Sequence, residues 1–212
     1  HLRQDELLAP VIESQLAMGC TGVVAMPNTK PPVAKITTDD PLPYDSIENY
    51  MHRIRDGGGD GFSEIIVPLY LTRDTTPDMI AQGAKSGLLK AVKYYPPHGT
   101  TGADFSVPFD TLLKSDVFRA LSDHDIVLCI HGEEHAMPAE TYFDAATNAE
   151  DIFYREKMPR VLDAFPGLKI VAEHVTTRSA VNFVTGAGPR VAATVTPQHL
   201  LYTVGHMLRG FK

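Results

Sequence analysis

Side chains that could bind metal ions follow apolar runs at several places in this 212-residue chain. Lys93, His131 and His174 each end such a run. His1 and Arg3 lie just before the first helical pattern, where a preceding strand would end. Neutral imidazole is a good zinc ligand, and a lysine buried at a strand end loses its proton readily because burial lowers its pKa. The neutral amine can react with CO2 to give a carbamate, an anionic oxygen ligand able to bridge two metal ions.

Each of these residues has an ordinary structural explanation when it is taken alone. A lysine at the end of a strand usually reaches solvent, and a single histidine is more often half-buried and hydrogen-bonded than a metal ligand. Three histidines and a lysine at four strand ends are harder to explain in that way. In a closed barrel such strand ends face one mouth, so the pattern predicts a metal site there.

Short apolar runs alternate with helical patterns along the chain. The runs are nearly continuous in Val, Ile, Leu and Ala, which is typical of strands covered on both faces in a parallel sheet. The alternation predicts an α/β fold, either a doubly wound open sheet or a (β/α)8 barrel. The predicted strands are residues 21–26, 64–71, 88–95, 126–131, 168–174 and 190–196, and the predicted helices are residues 5–18, 46–55, 76–86, 110–122, 151–164 and 177–185.

Two further patterns bear on the architecture. No glycine-rich phosphate-binding motif follows any predicted strand, so the nucleotide-binding form of the open sheet has no support. Two long loops are predicted, over residues 28–45 and 132–150, and long loops after strands are where a barrel keeps its chemistry. We expect residues 1–212 to form a single domain.

Composition limits the function classes. The net charge of -7 argues against a nucleic-acid partner, because phosphate binding favours a basic surface. The two cysteines, Cys20 and Cys129, lie in apolar surroundings without CxxC spacing, which predicts reduced thiols in a cytoplasmic protein. No apolar run approaches the ~20 residues that a membrane span needs, so we expect no membrane partner.

Six short motifs, taken in order, resemble those of the dihydroorotases. The resemblance is to the homodimeric, bacterial and fungal type within the amidohydrolase superfamily. Each motif alone is weak, but six in the family's order are specific and extend along the whole chain. The motifs are His1-Leu2-Arg3, Met26-Pro27-Asn28, Lys93-Tyr94-Tyr95-Pro96, His131-Gly132-Glu133, Glu173-His174-Val175-Thr176-Thr177 and Thr196-Pro197-Gln198-His199-Leu200.

This resemblance implies a (β/α)8 barrel with two zinc ions at its mouth. It implies that carbamylated Lys93 and a hydroxide bridge the two ions. His131 and His174 would hold the more exposed ion, and His1 matches the second histidine of the HxH pair that leads the family's chains. The implied reaction is the reversible interconversion of N-carbamoyl-L-aspartate and (S)-dihydroorotate in pyrimidine biosynthesis, in a homodimer.

The resemblance also implies a set of substrate-binding residues. Arg3 and Asn28 would hold the substrate carboxylate, and Thr100 and Thr101 would lie on a mobile loop that closes over the substrate. The chemistry of these residues agrees, because a guanidinium fork suits a carboxylate and the glycines beside the two threonines permit hinge motion.

Two parts of the family's pattern have no counterpart in the sequence. The first histidine of the HxH pair would precede His1, and the aspartate of the eighth strand would follow Lys212. We therefore expect an incomplete barrel, from the tip of strand one through strand seven. The alternatives are another cyclic amidohydrolase, such as a hydantoinase or allantoinase, and a non-catalytic scaffold subunit.

Overall fold

The computed structural model describes residues 1–97, 99, 103–142, 144 and 146–209. All six predicted strand ranges are confirmed, since each contains at least one strand of the structure. The described strands are β1 (Gly22–Val24), β2 (Val33–Lys35), β3 (Asp45–Ser46), β4 (Glu64–Ile66), β5 (Leu69–Tyr70), β6 (Ala91–Tyr94), β7 (Val127–Ile130), β8 (Ile170–Ala172) and β9 (Val191–Ala193).

The strands pair in parallel and, apart from the separate ladder of β2 and β3, their order in space follows their order along the chain. β1 pairs with β4, and a five-stranded sheet has the order β5-β6-β7-β8-β9. Only Val67 and Pro68 separate β4 from β5, so one short segment joins the two sheets. A doubly wound sheet reverses its strand order at a switch point, whereas this order runs in one direction, as it does in a (β/α) barrel.

The predicted long loop over residues 28–45 is wrong in part. It contains β2, and the two-residue strand β3 begins at its last residue, with the two strands forming a small parallel ladder. Val33 and Ala34 are fully buried there, and the backbone N–H of Asp45 donates to the carbonyl of Pro32 at 3.0 Å. The segment is rich in Pro and Thr, so its sequence does not show the continuous apolar run that identified the other strands.

The helix Pro77–Ser86 begins and ends where local signals place it. Thr76 accepts a hydrogen bond from the backbone N–H of Met79, Pro77 follows it, and Gly87 ends the helix at a φ of 76°. These are a polar N-cap, a first-turn proline and a left-handed C-terminal glycine. The described helices are α1 (Leu8–Ala17), α2 (Ile47–Asp56), α3 (Pro77–Ser86), α4 (Phe109–Leu113), α5 (Val117–Asp123), α6 (Ala139–Tyr142), α7 (Ala149–Ile152), α8 (Met158–Ala164), α9 (Arg178–Gly186), α10 (Pro197–Leu201) and α11 (Val204–Arg209).

Two predicted helices are interrupted. The predicted helix at 110–122 is split into α4 and α5, and between them the Ser115 hydroxyl donates to the Leu112 carbonyl at 2.7 Å and accepts from the Val117 N–H. Such side-chain bonds compete with the helical backbone pattern. The predicted helix at 151–164 consists of the end of α7, a π-helical turn over Phe153–Lys157, and α8. Pro159, which has no backbone N–H, follows this turn.

The core lies around the middle strands of the five-stranded sheet. All four residues of β6 are buried, whereas Val24 of the terminal strand β1 is 41% exposed. The middle strands are therefore where a polar side chain is best shielded from water. Within the part of the chain that the structure describes, no helix has both the length and the apolar character to cross a membrane.

Candidate metal and substrate site

Lys93 is buried in the middle of the sheet. It is the third residue of β6, its exposed fraction is 1%, and its strand neighbours are Tyr70 on β5 and Cys129 on β7. Its Nζ lies 5.1 Å from the centroid of the Tyr95 ring. Burial lowers the pKa of Lys93 to about 8, while Glu173 and Cys129 act in the opposite direction. The ordinary explanation, a lysine that reaches solvent, is wrong for this residue.

His131 and His174 lie side by side at the ends of the next two strands. His131 directly follows β7, and its backbone N–H donates to the carbonyl of Tyr94 at 3.0 Å. The His131 and His174 ring centroids are 4.7 Å apart. Burial, followed by the proximity of His131 and Lys93, lowers the pKa of His174 to about 3. At neutral pH His174 is thus the neutral imidazole, the form that ligates metal ions.

Two carboxylates lie against this group. Glu133 Oε2 is 2.6 Å from His131 Nε2, which fixes the orientation of the imidazole ring. Glu173 accepts a hydrogen bond from the Thr194 hydroxyl at 2.6 Å, and it interacts electrostatically with Lys93 and with the amino group of His1. The sequence pattern assigns no role to either Glu133 or Glu173, whose contacts form only in the folded chain.

The donor set fits the predicted metal ligands. Among the described residues, no three His, Cys, Asp or Glu side chains are arranged to hold a metal ion. The predicted set differs from such a trio, because it combines His131 and His174 with a carbamate formed on Lys93. A buried amine with a lowered pKa beside two close imidazoles provides the chemistry that this set requires.

The backbone turn that carries His174 is unusual. His174 has a φ of 43°, in the left-handed region that non-glycine residues rarely adopt. Its backbone N–H donates to the Thr194 hydroxyl at 2.7 Å, and the Val175 N–H donates to the Thr194 carbonyl at 3.0 Å. The strand end that sequence analysis identified is therefore a specific turn, fixed in part from β9.

Glu150 supports the same turn from the other side. Its carboxylate accepts hydrogen bonds from the backbone N–H and the hydroxyl of both Thr176 and Thr177, at 2.8 to 2.9 Å. Sequence reasoning missed Glu150, because nothing local to the end of a long loop indicates a partner 26 residues further along the chain.

Arg3 and Asn28, which the resemblance assigns to the substrate carboxylate, line one cavity. The cavity has a volume of about 260 Å³, and its lining includes His1. The backbone carbonyl of Arg3 accepts a hydrogen bond from the Tyr50 hydroxyl at 2.6 Å. Gln4 accepts from the Lys30 N–H at 2.7 Å, which joins the segment before α1 to the segment after β1. An arginine and an asparagine that line one cavity are residue types able to bind a carboxylate.

The other residues named from the sequence are Thr100, Thr101 and His199. Thr100 and Thr101 lie outside the residues that the structure describes. His199 lies near the metal candidates, with its ring centroid 6.3 Å from that of His174, and its Nδ1 is 2.7 Å from the Thr196 hydroxyl. The structure therefore brings Lys93, His131 and His174 together, and His1 lines the same cavity as Arg3 and Asn28.

Known proteins resemble this chain in sequence. The dihydroorotase of Shewanella amazonensis is 37% identical over 211 residues, and that of Aliivibrio salmonicida is 35% identical over 216 residues. Both alignments cover 99% of this chain, and the chain spans 57% of the length of each relative. No protein-family model matches the chain.

Solved structures resemble it in fold. The Saccharomyces cerevisiae dihydroorotase in complex with 5-fluoroorotic acid superimposes with a TM-score of 0.82 at 25% identity, covering 97% of this chain and 56% of the yeast chain. The Campylobacter jejuni dihydroorotase superimposes with a TM-score of 0.80 at 24% identity, covering 99% and 56%. Both comparisons extend over almost the whole of this chain. They relate it in sequence and in fold to the dihydroorotases, which are (β/α) barrels of the amidohydrolase type.

Proposed function

We propose that the protein containing this chain is a dihydroorotase, a cyclic amide hydrolase that interconverts N-carbamoyl-L-aspartate and (S)-dihydroorotate in pyrimidine biosynthesis. The observation that carries the proposal is Lys93, buried in β6 beside the close pair of His131 and His174. The names of the sequence relatives support the same reaction. The chain spans 57% of those relatives, so the proposal concerns the whole protein.

Two zinc ions are the proposed cofactors. His131 and His174 would hold one ion, His1 would contribute to the other, and the carbamate of Lys93 would be shared between them. Bound there, zinc would supply Lewis acidity towards the ring carbonyl and lower the pKa of a water molecule. Burial supports carbamate formation, since it keeps a part of the Lys93 amine unprotonated at mildly alkaline pH.

The chain's own residues would prepare this site in three ways. His174 stays neutral and needs no deprotonation before it ligates. Glu133 holds the His131 ring through Nε2, so that ring either ligates through Nδ1 or exchanges the carboxylate for the metal. Glu173 supplies negative charge near Lys93, which partly offsets the two ions.

Arg3 and Asn28 would orient the substrate. A carboxylate held in their cavity fixes the dihydroorotate ring, and fixed orientation removes much of the entropic cost of the reaction. Thr100 and Thr101 would donate hydrogen bonds to the substrate from a loop that closes over it.

Further properties of the whole protein are part of the proposal. We propose a single barrel domain over residues 1–212, a homodimer, a cytoplasmic location, and neither nucleic acid nor membrane as partner. The net charge of -7 supports the exclusion of nucleic acid.

The test is the ring-opening rate of the whole protein and of its Lys93→Ala variant. We expect kcat for dihydroorotate to fall by about 1,000-fold or more, since the shared ligand of both ions is removed. Lys90→Ala is the matched control, because Lys90 precedes β6 and forms an exposed ion pair with Glu64 at 2.7 Å. Wild-type rates in Lys93→Ala would contradict the proposed ligand role.

The substrate is tested separately with a panel of dihydroorotate, hydantoin and allantoin. Arg3 in the cavity favours dihydroorotate, which carries a carboxylate where hydantoin and allantoin have none. Preferred hydrolysis of hydantoin would point to another cyclic amidohydrolase. A whole protein that hydrolyses none of the three would point to a non-catalytic scaffold.

A further inference from the structure

The turn that carries His174, residues 173–177, has an unfavourable backbone conformation at its second residue. His174 has a φ of 43°, where the β-carbon of an L-residue crowds the following carbonyl. Such a conformation persists when surrounding contacts over-determine it. The contacts that hold this turn therefore help to keep His174 in this conformation.

Thr194 binds the first half of the turn. Its hydroxyl accepts from the His174 N–H at 2.7 Å and donates to Glu173 Oε2 at 2.6 Å. Its own backbone N–H donates to the Ala172 carbonyl at 2.9 Å, so β9 pairing fixes the position of this hydroxyl. One side chain thus contacts the residue that adopts the left-handed conformation and the residue before it.

Glu150 binds the second half. One carboxylate oxygen, Oε1, accepts from the Thr176 N–H, the Thr177 N–H and the Thr177 hydroxyl, and the other accepts from the Thr176 hydroxyl. The N-terminus of α9 does not depend on Glu150 for its cap, because the Thr177 hydroxyl already accepts from the Ala180 N–H at 3.2 Å. Glu150 therefore fixes Thr176 and Thr177, the last two of the three residues between His174 and the helix.

We propose that Glu150 and Thr194 are positioning residues that together hold His174 in its ligating orientation. Neither touches the reacting atoms; each acts through the backbone of the turn. The inference rests on the proposed function, because it assigns a purpose to the turn only if His174 binds a metal ion. Glu150 lies on α7, at the end of the loop that follows His131. Its hydrogen bonds to Thr176 and Thr177 therefore connect that loop to the turn that carries His174.

The test uses three variants in the natural gene product that contains residues 1–212. Glu150→Gln keeps the shape but places an NH2 group against backbone and hydroxyl donors. Thr194→Val removes the hydroxyl, and Thr194→Ser restores it. Glu140→Gln is the matched control, because Glu140 is an exposed glutamate of the same long loop and the change in charge is identical.

Two quantities are measured on each variant. Amide hydrogen exchange in the metal-free protein reports the turn itself, and we expect exchange at residues 174–177 to be about tenfold faster in Glu150→Gln and Thr194→Val. Zinc titration reports the ligand, and we expect affinity about 10- to 100-fold weaker in the same two variants. Thr194→Ser and Glu140→Gln should match the wild type in both. The visible spectrum of the cobalt-substituted protein should change with the affinity.

The outcomes separate the inference from the proposed function. Faster exchange with unchanged zinc affinity would show a structural contact without a positioning role, and unchanged exchange would overturn the inference directly. A wild-type protein that binds no zinc would overturn the proposed function and the positioning role together. If Glu150→Gln fails to fold, the Thr194→Val and Thr194→Ser pair still decides between these results.

Discussion

The middle of the sheet and the cavity before α1 differ in their exposure to water. Lys93 is 1% exposed on a fully buried strand, and its neighbours His131 and His174 are within one strand spacing of each other. Arg3 and Asn28 line an open cavity on segments without regular structure. Burial lowers the pKa of Lys93 in the first region, whereas Arg3 in the second region is exposed to water.

The two regions also differ in what holds them. Parallel strand pairing fixes Lys93, since β5 and β7 bind its strand on both sides. Individual hydrogen bonds, from Tyr50 to the Arg3 carbonyl and between Gln4 and Lys30, fix the cavity. We propose a division in which strand pairing holds Lys93, whereas individual hydrogen bonds hold the segments that would bind the substrate.

The largest expected effect concerns the cost of burying Lys93. Since its pKa in the folded state is about 8, below its ordinary value of 10.5, the folded protein binds this proton more weakly than the unfolded chain does. Without metal or CO2, Lys93→Met should therefore stabilise the protein by about 3 kcal/mol at pH 7. The whole cost is present below about pH 8 and declines as the pH rises towards 10.5.

Urea denaturation at pH 7, 8.5 and 10 measures this effect. The difference in unfolding free energy between Lys93→Met and wild type should shrink across the series. Lys90→Met is the control, because Lys90 is exposed and should give a small and nearly constant difference. A Lys93→Met variant that is less stable than wild type at pH 7 would mean that the buried amine is well compensated.

The second prediction concerns the open cavity. Arg3→Ala in the whole protein should lower kcat/KM for dihydroorotate by about 100-fold, since a charge-assisted bond to the carboxylate is lost. Arg3→Lys should recover only a part, because a lysine cannot form the two-pronged contact. Zinc content should stay at the wild-type level in both.

Steady-state kinetics and metal analysis check this prediction, with Arg55→Ala, an exposed arginine of α2, as the control. A wild-type kcat/KM in Arg3→Ala would remove the carboxylate role. Loss of zinc in Arg3→Ala would mean that the two regions are not separate.

The third and smallest effect tests the packing beside His131. A β-carbon on Gly132 would overlap the ring and hydroxyl of Tyr154, so Gly132→Ala should destabilise the protein by about 2 kcal/mol. Gly186→Ala is the matched control, because nothing lies within 4 Å of the added carbon at the end of α9. Chemical denaturation of both variants checks the contrast, and equal stabilities would show that the region near His131 can expand.

The sequence alone predicts the features that depend on neighbouring residues along the chain. Lys93, His131 and His174 were identified because each ends an apolar run, and the alternation of runs and helices gave the parallel sheet. Glu150 and Thr194 could not be identified, since their partners lie 26 and 20 residues away and are reached only by folding. The division of helix 110–122 was missed for a related reason, because the competing bonds of Ser115 have no distinctive pattern.

The central claim is that buried Lys93 becomes a carbamate that joins the metal ions. Carbon-13 NMR of the whole protein in labelled bicarbonate and zinc tests this claim directly. We predict a carbamate resonance in the wild type that is absent from Lys93→Met and retained in Lys90→Met. A wild-type protein that binds zinc without this resonance, or a Lys93→Met variant that still shows it, would contradict the account.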